Sequence, residues 1–137
     1  MEGLPPEAMT QVAAYFQALS EPTRLQILNL LRSGERNVGE LAQACGFTSA
    51  NVSRHLSVLM QQGLVAREGR GTSVYYRIAD ESVYALCDLV CGSIARQFER
   101  SAEDRKVFLR GAAAQRGASG AKVSAAKSTK ARTRAAS

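Results

Sequence analysis

Residues 45–63 read CGFTSANVSRHLSVLMQQG, and residues 64–78 continue LVAREGRGTSVYYRI. A change of period inside this stretch decides the fold. Val52, Leu56 and Leu59 recur at offsets of four and three, which puts them on one face of a helix. Thr48 is a capping residue for that helix, and Gly63 stops it near Gln62. The four residues Cys45-Gly46-Phe47-Thr48 form a tight joint to a shorter helix over Val38–Cys45, whose Leu41 and Ala42 turn inward. Beyond Gly63 the period falls to two. Leu64–Arg67 reads as a short strand, Glu68–Thr72 as a Gly-rich turn, and Ser73–Ile78 alternates, with Val74, Tyr76 and Ile78 on one face and Ser73, Tyr75 and Arg77 on the other. Two helices across a tight joint, followed by a basic-tipped hairpin, make a helix-turn-helix with a wing.

Working outward from this stretch, Val12, Tyr15, Phe16 and Leu19 give Gln11–Leu19 helical spacing. Ser20-Glu21-Pro22 reads as the next helix start, with Ser20 as cap and Pro22 in the first turn. Leu25, Ile27, Leu28, Leu30 and Leu31 make that helix central, and Ser33-Gly34 ends it. Downstream, a last helix starts near Asp80 and runs to about Phe98, with polar helical character reaching Leu109. Its apolar stripe is Val83, Leu86, Cys87, Val90, Cys91, Ile94 and Phe98. The expected fold is mainly α with one small β-hairpin, in the order α-α-α-α-β-β-α, a winged helix-turn-helix. The expected organisation is an N-terminal extension over 1–9, one domain over 10–110 and a tail over 111–137.

The chain has 137 residues and a formal net charge of +6. That charge is unevenly placed. Six of the 18 Lys and Arg fall between Gly111 and Ser137 with no acid, so the rest of the chain is balanced in sign. The tail is Ala, Gly, Ser, Thr, Lys and Arg with Val123 as its only larger aliphatic residue, a composition that buries no core and is expected to be disordered. It is either a solubilising tail or a source of weak, salt-sensitive phosphate contacts. No segment is apolar enough to span a bilayer and no secretory leader precedes the first helix, so the expected location is the cytoplasm, away from membranes. Three cysteines do not read as a disulfide framework, and a single histidine, His55, builds no multi-histidine metal site.

On the helix after the joint, Ala50, Asn51, Arg54 and Ser57 lie opposite the apolar residues, with Ser53 on the flank. A small polar face of this kind fits a DNA major groove, where base edges are read by hydrogen bonds. Asn51 suits adenine, and Arg54 suits guanine or a phosphate. Thr48, Ser49 and the backbone N–H groups of the helix N-terminus suit a phosphate. Arg67 and Arg70, between Gly69 and Gly71 at the hairpin tip, suit phosphates or the minor groove. A solvated helix face and an ordinary surface hairpin are the bland alternatives, and the order of the elements weighs against them. His55 lies between the core and outward faces, where a packing or backbone-bonding role outweighs that of a ligand.

These residues resemble the ArsR/SmtB family of metal- and redox-responsive repressors. The matching pieces run from Leu19-Ser20-Glu21-Pro22-Thr23-Arg24-Leu25-Gln26-Ile27-Leu28 through Val38-Gly39-Glu40-Leu41-Ala42 to Val52-Ser53-Arg54-His55-Leu56, with Leu59, Gly63-Leu64-Val65, Arg70-Gly71 and Val74-Tyr75-Tyr76 completing them. The resemblance covers roughly residues 10–100. It implies a homodimer closed through the first and last helices, and two recognition helices on a palindromic double-stranded operator one helical turn apart. It also implies repression released by an inducer or a change of thiol state. Two inducer sites known in the family do not carry over. Arg36-Asn37-Val38-Gly39-Glu40-Leu41 holds no cysteine, and the last helix holds no histidine.

Cys87 and Cys91 remain, four residues apart on one helix face. Paired helices in a dimer bring four thiols together, a set that suits arsenite or another soft, thiophilic ion. Oxidation or reaction with a persulfide or electrophile is the redox alternative. An intrachain disulfide at this spacing is geometrically poor, whereas a cross-dimer one is easier. Free cysteine is also a common small core residue, so packing stands beside sensing, and packing is the expected role of Cys45. No cofactor or particular metal follows from the residues. Two other function classes were weighed: a winged-helix protein-interaction module, disfavoured by the polar rather than aromatic outward face, and a thiol oxidoreductase, disfavoured by the Cys-x-x-x-Cys spacing without a βαβ unit. An enzyme is not expected.

Overall fold

The computed structural model describes residues 1–119, with side chains through residue 114. The elements are α1 (Pro6–Ala18), α2 (Pro22–Leu31), β1 (Arg36–Asn37), α3 (Val38–Cys45), α4 (Ser49–Gln61), β2 (Val65–Arg70), β3 (Ser73–Ile78) and α5 (Ser82–Ser119). The chain divides after Cys87 into two units, Met1–Cys87 and Asp88–Ser137.

The first unit holds the core. Ile27 and Leu31 of α2, Leu41 of α3, Val52, Leu56 and Leu59 of α4, Leu64 and Val83 are all closed to solvent. Burying each such side chain contributes about 1.5–3 kcal/mol relative to exposure. The predicted joint is present. Gly46 takes a left-handed conformation (φ 75°), and the N–H groups of Gly46 and Phe47 both donate to the Ala42 carbonyl, at 2.9 and 3.1 Å, ending α3. At the other end of α3, Asn37 and Glu40 exchange side-chain-to-backbone hydrogen bonds in a reciprocal cap. Gly63 (φ 72°) closes α4, with the Leu64 N–H donating back to Leu59.

In the first unit three boundaries differ from expectation for local reasons, and one strand is added by a distant pairing. α1 begins at Pro6 rather than near Gln11, because Pro at the first helical position loses no hydrogen bond and is set for helical φ. The cap of α2 is Glu21, whose carboxylate accepts from the Arg24 N–H at 3.1 Å. Ser20 instead donates its hydroxyl to Gln17 at the end of α1. The hairpin turn is tighter than the five residues expected. β2 and β3 pair antiparallel down to Arg70 opposite Ser73, leaving only Gly71 (φ 62°) and Thr72 as the turn, and a positive φ is what a two-residue turn requires. A third strand was not expected: β1 pairs antiparallel with β3, Arg36 opposite Tyr76 and Asn37 opposite Tyr75, giving sheet order β1-β3-β2.

In the second unit the described part is the continuation of α5, which stays helical to Ser119, beyond the expected end near Phe98 and nine residues into the segment read as tail. Ala112, Ala113 and Ala114 favour helix strongly enough to carry it past Gly111. The remainder of the expected basic tail, residues 120–137, lies outside the described residues. Among the described residues no helix is long and apolar enough to cross a membrane.

Candidate nucleic-acid interface

α4 presents the polar face that its sequence predicts. Thr48 caps it, with Oγ1 accepting from the Asn51 N–H at 3.1 Å. Ser49, Arg54 and Ser57 are exposed, while Asn51 and Ser53 are half-buried at the edge of the face. The opposite face, Val52, Leu56 and Leu59, is fully buried. The helix is thus fixed in rotation about its axis, with Arg54 and Ser57 opposite the buried face and Asn51 and Ser53 on its two flanks.

Asn51 and Arg54 are joined: the Arg54 guanidinium donates to Asn51 Oδ1. This takes up one of the two lone pairs of the carboxamide oxygen and leaves its NH2 free of that bond. The paired surface is therefore rich in donors, matched to acceptors such as guanine O6 and N7 or phosphate oxygens.

His55 fastens this helix to the rest of the unit. Its side chain is 17% exposed. Nδ1 lies 3.2 Å from Arg24 Nη1 and 3.7 Å from Glu21 Oε2, so the ring is placed between a guanidinium and a carboxylate. Arg24 also donates from Nε to the Ala18 carbonyl at 2.6 Å and from Nη2 to the Gln17 carbonyl at 3.2 Å. One guanidinium thereby satisfies the last carbonyls of α1 and holds the ring on α4. The packing reading of His55 has its place here, although its partner is a side chain rather than backbone. Arg24 was not singled out from sequence. Its signal is its position just after a helix end, where a cation satisfies orphan carbonyls.

In the wing, Arg67 and Arg70 are both exposed. Arg70 is held: its Nη2 donates to Glu35 Oε2 at 2.8 Å, Glu68 Oε1 lies at 3.6 Å, and the guanidinium sits 5.0 Å from the centre of the Tyr75 ring. The hydrogen bond to Glu35 is the main cause that raises its pKa further. Glu35 thus competes with any phosphate for the Arg70 guanidinium. Glu35 carries no signal in the sequence, because its contact with Arg70 spans 35 residues of chain.

The three cysteines differ. Cys45 is half-buried against the core, and burial pushes its thiol pKa up, away from the reactive thiolate. Cys87 also packs against the core, whereas Cys91 is exposed. No disulfide and no cluster of three His, Cys, Asp or Glu is present among the described residues.

Residues 21–67 match the sequence pattern of "Bacterial regulatory protein, arsR family". Over 82 residues the chain is 43% identical to the HTH-type transcriptional regulator NmtR of Mycobacterium tuberculosis, covering 60% of this chain and 68% of that one. A probable mercury resistance operon repressor of Streptomyces lividans is 37% identical over 74 residues, 54% of this chain and 59% of that one. Among solved structures, the homodimeric winged helix-turn-helix DNA-binding domain of a possible ArsR-family regulator from Mycobacterium bovis, a fragment of residues 1–100, superposes with TM-score 0.62 at 39% identity, over 73% of this chain and 95% of that one. The chain belongs to the ArsR family of bacterial regulatory proteins, as a transcriptional regulator built on a winged helix-turn-helix.

Proposed function

We propose that this repressor reads a palindromic operator with α4 and the wing, and releases it when a thiophilic ion or an oxidant reacts with Cys87 and Cys91, in the cytoplasm. The observation that carries the DNA assignment is the joined Asn51–Arg54 pair on a rotationally fixed helix. Ser53 and Ser57 flank that pair at base edges, Thr48 and Ser49 take a phosphate at the helix N-terminus, and Arg67 lies on the backbone beside the wing. Arg70 joins when phosphate replaces Glu35. Exposed Met9 and Phe16 on α1, with Val90, Ile94 and Phe98 on α5, support closure of the dimer through the first and last helices.

The sensing assignment rests on two thiols one helical turn apart, on the absence of the family's other ligand positions from this sequence, and on a relative named for mercury resistance. Arsenite exchanges a hydroxyl for each thiolate it binds and releases one water per thiol. Fluorescence anisotropy of reduced protein on its own upstream DNA tests both parts, repeated with arsenite and then with a mild oxidant. Tight binding that either treatment abolishes, and that persists in Cys91→Ser, supports the sensor. Tight binding indifferent to both treatments makes the cysteines packing residues, and no binding to that DNA removes autoregulation.

A further inference from the structure

We propose that Arg24, acting through the ring of His55, is a positioning residue for operator recognition, and that a proton on His55 undoes it, so that operator binding weakens on acidification. That role rests on the reading of α4 as the helix that meets DNA, and adds what holds the helix in place.

Arg24 ties three helices with one side chain. Its Nε and Nη2 donate to the Ala18 and Gln17 carbonyls at the end of α1, its Nη1 lies 3.2 Å from His55 Nδ1 on α4, and its backbone belongs to the first turn of α2. The planar fork of a guanidinium fixes the directions of these contacts together, which an ammonium on a flexible stem does not. His55 sits one helical turn after Asn51 and next to Arg54, so whatever moves the ring moves the face proposed to meet base edges.

The ring has a second neighbour of opposite charge. Glu21 Oε2 lies 3.7 Å from the same Nδ1, and that oxygen accepts from the Arg24 backbone N–H at 3.1 Å as the cap of α2. Arg24 and Glu21 are the charged groups facing the ring among the described residues. The end of α1 brings the neutral carbonyls that Arg24 occupies, and Arg54, next along α4, is exposed and bonded to Asn51. A guanidinium donates and never accepts, so the Arg24 contact is a hydrogen bond only while Nδ1 keeps its lone pair. A proton taken from solvent onto that lone pair removes the acceptor, sets two cations side by side, and gives Nδ1 a hydrogen to donate to Glu21. The ring then exchanges Arg24 for Glu21. The link from α4 to the end of α1 opens, and α4 keeps its buried face but loses this polar anchor.

His55 is the chain's single histidine, and an imidazole is the one side chain whose ordinary titration falls between pH 5 and 8. The sign of the effect separates position from charge. Added positive charge strengthens binding to a polyanion, so acid by itself tightens the contact to any duplex. Loss of operator affinity in acid therefore reports the placement of the helix and not the net charge.

The test is fluorescence anisotropy of the reduced, full-length protein at fixed ionic strength, from about pH 8 to about pH 5.5, on its own upstream DNA and on a scrambled duplex. The parent should lose about tenfold in operator affinity while its affinity for the scrambled duplex holds or rises. His55→Gln offers Arg24 a neutral acceptor that takes up no proton, and its operator profile should not fall in acid. Glu21→Gln keeps an oxygen for the α2 cap but removes the carboxylate that receives the protonated ring, so its loss should begin at lower pH. Circular dichroism confirms that each variant is folded. Two-dimensional NMR of the free protein over the same range reads the tie without DNA: the α4 amides and the Arg24 Nε–H should shift along one curve in the parent and stay in place in His55→Gln. A parent profile that is flat or tightens in acid, or one that falls equally in His55→Gln, overturns the proposal, as do α4 amides that ignore the titration. No operator binding at any pH overturns the DNA reading instead, and the NMR titration then decides the tie on its own.

Discussion

α4 and α5 carry the same kind of apolar stripe and meet opposite fates. Val52, Leu56 and Leu59 on α4 are wholly excluded from solvent, whereas Val90 and Ile94 on α5 are 47% exposed and Phe98 72%. Hydrophobic periodicity thus reports that a face is to be covered without saying by what. On α4 the cover is the same chain, and the stripe serves to aim the polar face opposite it. On α5 the stripe is left open, and a partner is the cover proposed for it. The contrast also separates fold from assembly: damage to the first stripe should unfold the unit, and damage to the second should change only which copies meet.

Truncating a closed side chain should cost the most. Leu56→Ala should lower the stability of the first unit by about 2–5 kcal/mol, since a closed site cannot collapse fully around the missing atoms. Phe98→Ala, at dilutions where the protein is monomeric, should leave stability within about 0.5 kcal/mol. Urea titrations of both variants check this. A Phe98→Ala loss comparable to that of Leu56→Ala would mean that α5 is covered by its own chain.

Next in size is Arg54→Ala, which should weaken specific DNA binding by about 1–3 kcal/mol while leaving urea unfolding unchanged. Anisotropy on operator and on a scrambled duplex separates the cases. A loss equal on both DNAs would make Arg54 a phosphate contact rather than a base reader.

The elements of the first unit were legible from local pattern because their causes are local. Thr48 capping α4, Gly46 and Gly63 ending helices, and the alternation over Ser73–Ile78 all act within a few residues. What the sequence hid depends on distance along the chain. The Arg24–His55 contact spans 31 residues and the Arg70–Glu35 pair 35, and β1 is two residues long and exists only because β3 lies beside it. The choice of Glu21 over Ser20 as cap turned on a single position, since Pro22 at the first helical residue makes its predecessor the cap. The candidate site was legible as a face, but its internal pairing was not. Asn51 and Arg54 are neighbours at i, i+3, and the sequence does not tell whether they bond each other or await the DNA.

A smaller effect is expected at the wing. Glu35→Gln removes the carboxylate that holds Arg70, leaving the guanidinium available to a phosphate. Operator binding should tighten a few-fold and the slope of log K against log salt should steepen by about 1.8, one more phosphate neutralised by each of the dimer's two wings. Unchanged affinity and slope would mean that Arg70 belongs to the sheet and not to the interface.

The smallest effect lies where the two stripes' fates diverge, at the start of α5. Its first turns are tied to the first unit, with Val83 buried and the Tyr84 hydroxyl donating to the Leu28 carbonyl at 2.7 Å. Asp80 caps this start: its carboxylate accepts from the Ser82 hydroxyl at 2.7 Å and the Ser82 N–H at 3.0 Å, and these bonds, the hydroxyl first, hold its pKa below the usual carboxylate value. A pKa lowered on folding contributes stability that is complete above the unfolded value, about 3.9, and is lost as pH falls through the folded value. Asp80→Ala should therefore be less stable than the parent at neutral pH, by a small margin because the carboxylate is exposed, and the gap should shrink as urea titrations are taken below pH 4. A gap that stays constant with pH would show that the charged cap adds nothing and that Val83 and Tyr84 alone anchor the helix.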